Sequence, residues 1–114
     1  MPLSTNPASF LPLHPLAFHV LLVLLDGPTH GYRIVKELES QPSISHPIMP
    51  ANLYRRLRDL VDQQLLEELP AHDDPRGRRD FRITPLGRKV VASEARRLAA
   101  DVAIARGKGL LRHA

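Results

Sequence analysis

Residues 50–84 read PANLYRRLRDLVDQQLLEELPAHDDPRGRRDFRIT, and this stretch decides the fold. From Ala51 to about Gln64 the residues repeat with helical period. At about 100° per residue, Leu53, Leu57, Leu60 and Val61 share one sector, while Ala51, Asn52, Arg55, Asp59 and Asp62 lie opposite, with Arg56 and Arg58 on the flanks. Two short strands follow, Leu65–Leu69 and Arg79–Ile83. In the second, Phe81 and Ile83 alternate with Asp80 and Arg82, the period of a half-buried strand. Between them Pro70–Arg78 holds Asp73-Asp74-Pro75-Arg76-Gly77, a turn composition ending in arginines. A basic helix beside a basic hairpin is the layout of a winged helix-turn-helix that docks on DNA.

Working outward, Thr84-Pro85 caps and opens a last helix reaching about Arg106, with proline at the tolerated first position. Leu86 and Val90 on one face are expected to close the core. Val91, Ala95, Leu98, Val102 and Ala105 form a second stripe at another angle. A helix of about twenty-two residues is ~33 Å long and overruns a small core, so the second stripe, with Leu16 beside it, is read as a homodimer surface.

Upstream, residues 1–13 carry three prolines without periodicity and read as a flexible lead-in. A first helix starts near His14 or Pro15, is apolar around most of its circumference, and stops at Asp26-Gly27-Pro28. A second, with Thr29 as candidate cap, runs to about Ser40 with Tyr32, Val35 and Leu38 inward and Ile34 beside them. In His30-Gly31-Tyr32 the histidine is expected to order the turn and the tyrosine to fill the core. The prolines and serines of residues 41–49 break the pattern. The predicted fold is mainly α with a small β-hairpin: residues 14–84 form a winged helix-turn-helix and residues 85–114 a dimerisation helix and tail.

The chain has 114 residues, enough for one modest core, and a formal net charge of +4. Residues 76–89 hold six basic side chains against one acidic, so the positive charge sits in the wing and the helix after it. With no cysteine there is no disulfide or thiolate metal site, which fits a reducing compartment. The longest apolar run, Leu16–Leu25, is half the length of a membrane span and has no Lys or Arg before it, so a cytoplasmic protein is expected. The six histidines are scattered, without the spacing of a metal site. The chain lacks GxSxG, a Gly-rich phosphate loop and a cysteine nucleophile; neither an enzyme nor a cofactor is expected.

Four segments carry a resemblance to a known family: Leu21-Leu22-Val23-Leu24-Leu25-Asp26-Gly27-Pro28 with His30-Gly31-Tyr32, Asn52-Leu53-Tyr54-Arg55-Arg56-Leu57 with Leu60, and Phe81-Arg82-Ile83-Thr84-Pro85-Leu86-Gly87. In this order and spacing the chain resembles the PadR-type transcriptional regulators, particularly short members with one C-terminal dimerisation helix. It departs from the family's habits at Ala51-Asn52, where a Gly-Thr pair is common, and at Gln64, where glycine is common. The resemblance implies a homodimeric repressor on a palindromic operator in double-stranded DNA, relieved by a small-molecule inducer. By position it assigns Asn52, Tyr54, Arg55 and Arg58 to the recognition helix and Arg76, Arg78 and Arg79 to the wing. Arg56, on the flank of that helix, is expected to join them.

Chemically, arginine pairs with guanine and asparagine with adenine, whereas Arg58 is better placed for phosphate. Arg55–Asp59 and Arg58–Asp62 would instead be local ion pairs four residues apart, and Asn52 would instead cap the helix. The alternative function is a winged-helix protein-interaction module without sequence-specific DNA binding, whose mark would be an apolar outward face on the third helix.

Overall fold

A computed structural model describes residues 6–44, 46–70 and 76–111. After a 3-10 turn (Pro7–Phe10) come α1 (Pro15–Leu24), β1 (Thr29–His30), α2 (Gly31–Glu39), α3 (Pro50–Asp62), β2 (Leu66–Glu68), β3 (Asp80–Ile83) and α4 (Pro85–Gly107).

Three of the four α-helices start at proline, where the missing N–H is no loss. His14 Nδ1 accepts from the Leu16 N–H at 3.1 Å to cap α1, and Thr84 Oγ1 accepts from the Gly87 N–H at 2.9 Å to cap α4. For α2 the cap is His30, accepting from the Arg33 N–H at 3.3 Å; Thr29, the expected cap, lies one residue before it. Asn52 does not cap α3 either: it lies inside the first turn, behind Met49 and Pro50.

The core gathers Val20, Leu21 and Leu24 of α1, Ile34 and Leu38 of α2, and Leu53, Leu57 and Leu60 of α3. Ala17 and Val23 of α1, with Leu65, Leu66, Phe81, Ile83, Val90 and Val91, complete it. The helix apolar around most of its circumference, α1, is central, packing on α2, α3, α4 and β3. Tyr32 is a correction. Gly31, Ile34 and Leu38 define the inward face of α2, and Tyr32, well off that direction, is 59% exposed. Val35 is half-buried at the edge.

The hairpin belongs to a three-stranded antiparallel sheet in which β3 is central. Thr29 and His30 of β1 pair with Phe81 and Asp80, and Leu66, Glu67 and Glu68 of β2 pair with Ile83, Arg82 and Phe81. The sheet thus ties the start of α2 to the base of the wing. The wing-turn residues Asp73, Asp74 and Pro75 lie outside the described residues.

Between α3 and β2 the chain reverses at Gln64. The Leu65 N–H donates to the Leu60 carbonyl and the Gln64 N–H to the Val61 carbonyl, both at 2.9 Å. This Schellman pattern requires a left-handed residue, and Gln64 adopts φ +64°. The adjoining start of α4 is held tightly: the Thr84 N–H donates to the Leu65 carbonyl at 3.1 Å and Thr84 Oγ1 to the Gln64 carbonyl at 2.7 Å. A Cβ on Gly87 would sit 2.2 Å from the Leu65 carbonyl oxygen, so only glycine allows this approach.

The lead-in departs from expectation where it is described. Phe10, Leu11 and Leu13 pack against the core, and the 3-10 turn lies along α4. The Leu13 N–H donates to Glu94 Oε2 at 2.7 Å, and Glu94, 1% exposed, also accepts from Arg97 at 2.5 Å. These two donors, one of them a guanidinium, make the buried carboxylate tolerable and hold its carboxyl below the usual range.

Candidate nucleic-acid interface

Burial of Leu53, Leu57 and Leu60 turns the other side of α3 outward. Asn52, Arg55, Arg58, Asp59 and Asp62 are all exposed there. Among the described residues neither Arg55 nor Arg58 has an ion-pair or hydrogen-bond partner; the expected local pairs with Asp59 and Asp62 do not form. Asp59 pairs with Arg56 at 3.5 Å instead. That arginine turns back toward α1 rather than outward. Its side chain is 26% exposed and its Nε–H is buried without an acceptor. Burial and the Arg56 charge both lower the pKa of His14.

Tyr54 is 55% exposed, and its ring leans on the start of α2. A Cβ on Gly31 would fall 2.9 Å from the Tyr54 hydroxyl, so the glycine gives the tyrosine its seat. The Tyr54 ring thus lies against the start of α2 with its other face exposed.

Tyr54 and Arg58 join Arg76, Arg78 and Arg79 around a cleft of about 390 Å³ between α3 and the wing. Arg79 also meets Glu68 at 3.2 Å, and Arg82 pairs with Glu67 across the strands. Asn52, Arg55 and Arg56 instead line a second cleft, of about 540 Å³, at the start of α3. So α3 stands as a ridge between two clefts, and the eight expected residues divide between its flanks.

Sequence reading missed the contribution of α2. Tyr32 lines the wing-side cleft, its ring 6.4 Å from that of His30 and 5.5 Å from Lys36 Nζ. The spacing of Ile34 and Leu38 with Gly31 was the signal that would have turned Tyr32 outward.

The stripe on α4 also divides. Val91 is 3% exposed and belongs to its own chain's core, which corrects its assignment to a dimer surface. Beyond Glu94 no residue of α4 is buried: Ala95 is exposed, Leu98 and Ala105 are half-buried, and Val102 is 41% exposed. Leu16 is half-buried and lines the cleft at the start of α3. Among the described residues there is no cluster of metal-ligating side chains, and no helix is long and apolar enough to cross a membrane.

Comparison with known proteins places these features. Residues 20–93 match the transcriptional regulator PadR-like family. An uncharacterised 37.1 kDa protein in transposon Tn4556 of Streptomyces fradiae is 38% identical over 81 residues, 70% of this chain. The chain spans only 22% of the length of that relative. Among solved structures, a PadR family transcription regulator from Clostridium difficile superposes with a TM-score of 0.73 at 12% identity, over 82% of this chain and 97% of that one. Bacillus subtilis PadR, solved in complex with operator DNA, superposes with a TM-score of 0.62 at 17% identity, over 72% of this chain and 46% of that one. These two likenesses are of fold.

Proposed function

Since the chain belongs to the PadR-like family of transcriptional regulators, we propose that it is a homodimeric repressor whose α3 enters the major groove of a palindromic operator. The observation that carries this reading is the division of α3: Leu53, Leu57 and Leu60 fully committed to the core, Arg55 and Arg58 exposed without protein partners among the described residues. Exposed, uncompensated arginines on a helix whose inner face is locked are suited to base edges and phosphates. Asn52 and Arg55 would read bases. Tyr54, Arg58, Arg76, Arg78 and Arg79 would hold the backbone on the wing side, with Tyr32 and Lys36 of α2 alongside. Arg56 would act through α3's seating on α1 rather than on DNA.

The distal stripe of α4, Ala95, Leu98, Val102 and Ala105, would pair with its symmetry mate. Two-fold pairing sets half-site centres about one helical turn apart or a multiple of it. Repression relieved by a small molecule and a cytoplasmic location complete the proposal. The rival reading, a protein-interaction module, calls for an apolar outward face on α3, where this chain presents Asn52, Arg55, Arg58 and Asp59.

The test is selection of bound sequences from a random duplex pool at two salt concentrations. A palindromic motif that survives the higher salt supports the proposal and supplies the operator. Sequence-blind binding that collapses with salt overturns the groove assignment. No binding at either salt transfers the chain to the interaction module.

A further inference from the structure

The cleft at the start of α3 has a composition unlike the wing side. Its volume, about 540 Å³, falls within the ~300–1,000 Å³ typical of small-molecule sites. Pro15 and Leu16 of α1 and Ile44, Ile48 and Met49 of the α2–α3 connection give it aliphatic walls. Arg55 and Arg56 give it positive charge, and no Asp or Glu is among its described lining residues. Phe, Tyr and Trp are also missing from that lining, so it offers no phenyl or indole ring for stacking. The Nε–H of Arg56 is buried without an acceptor, while the partly exposed tip of its guanidinium is held only by Asp59 at 3.5 Å, beyond ordinary hydrogen-bond length.

We infer that this cleft binds an aliphatic carboxylate, its chain on Leu16, Ile48 and Met49 and its head group between the Arg55 and Arg56 guanidiniums. An anion answers the charge of Arg55, which has no partner among the described residues, and offers Arg56 a closer acceptor than Asp59. The aliphatic walls select a flexible hydrocarbon chain over a neutral polar ligand.

The position carries a regulatory consequence that rests on the DNA-binding reading above. Asn52 and Arg55 belong both to this cleft and to the outward face of α3. An acid seated here takes the Arg55 side chain from the major groove, so acid and operator compete within one protomer.

Two separate measurements test this. In the first, octanoate is titrated into the full-length protein without DNA while the imidazole resonances of His14, His19 and His46 are followed by NMR. Saturable shifts are expected, with octanamide and Arg56→Met each weakening binding by about tenfold or more. Absence of saturation by a concentration on the order of 10 mM overturns the site, as does octanamide binding equal to octanoate. Benzoate binding equal to octanoate overturns the aliphatic assignment. Should Arg56→Met fail to fold, the octanoate–octanamide comparison alone decides.

In the second, octanoate is added to the complex with the selected duplex. A rise in the apparent duplex Kd that follows octanoate saturation supports competition, and unchanged duplex affinity at saturating octanoate overturns it. A protein that binds octanoate but no duplex leaves the acid site standing and refutes the DNA-binding reading.

Discussion

Replacing Gln64 by glycine should stabilise the protein, although it removes a side chain. Gln64 occupies the left-handed position that closes α3, at φ +64°, with the Leu65-to-Leu60 and Gln64-to-Val61 hydrogen bonds around it. Its side chain is exposed and makes no hydrogen bond among the described residues, so substitution removes no polar contact. A Cβ in this conformation costs about 1–2 kcal/mol. Glycine avoids that cost but loses about 0.5–1 kcal/mol more conformational freedom on folding. The balance is a gain of about 0.5–1 kcal/mol for Gln64→Gly, equivalent to a rise in Tm of about 2–6 °C. Urea unfolding followed by far-UV circular dichroism measures it, with the midpoint moving up at unchanged slope. Gln64→Ala keeps the Cβ and should stay within about 0.5 kcal/mol of the parent. A Gln64→Gly protein no more stable than the parent, or matched by Gln64→Ala, would refute the strain argument.

Four other outcomes follow from the same geometry. Arg55→Ala should leave stability within about 0.5 kcal/mol, while weakening operator binding by about 1–3 kcal/mol and relaxing discrimination at one position, read by fluorescence anisotropy. Arg78→Ala should weaken all duplexes evenly and flatten the salt slope by about 1 in the same assay. Gly87→Ala places a Cβ 2.2 Å from the Leu65 carbonyl oxygen and 2.8 Å from Ile83 Cγ1; denaturation should show a loss of about 2–3 kcal/mol. For Glu94 the sign runs with its lowered pKa, caused first by Arg97 and also by the Leu13 N–H. Its stabilisation is present above the ordinary value near 4.5 and lost as pH falls through the folded value. Glu94→Gln should therefore be less stable by about 1–3 kcal/mol at pH 7, its urea midpoint converging on the parent's under acid conditions.

How far the sequence carried depends on where each residue's signal comes from. Leu53, Leu57 and Leu60 announce α3 through their period, Phe81 and Ile83 announce β3, and Thr84-Pro85 marks the start of α4; all three elements stand where these residues put them. β1 is two residues long and arises from pairing with β3, so no local periodicity encodes it. Tyr32 was drawn inward by its ring, but the spacing of Gly31, Ile34 and Leu38 governs the buried face. Arg56 sits on a flank, and a shift of one residue around the helix is enough to bury part of a guanidinium that sequence alone would expose. The three prolines of residues 1–13 suppress a helical pattern without preventing Phe10, Leu11 and Leu13 from finding apolar partners. Nothing around Glu94 in the sequence marks it for burial; its two donors, Arg97 and the distant Leu13 N–H, account for it together.

The clasp between Leu13 and Glu94 sets the aim of a lever. Through it, and through the close approach at Gly87, the first turns of α4 are locked to the body that carries α3, while the remaining turns project clear of it. Over the ~20 Å of helix beyond Glu94, a tilt of about 10° at that mounting displaces the far end by ~3.4 Å, about one base-pair step along a duplex. In the dimer proposed above, joined through α4, this small buried contact on the far side of the core from the wing would set the distance between the two α3 helices.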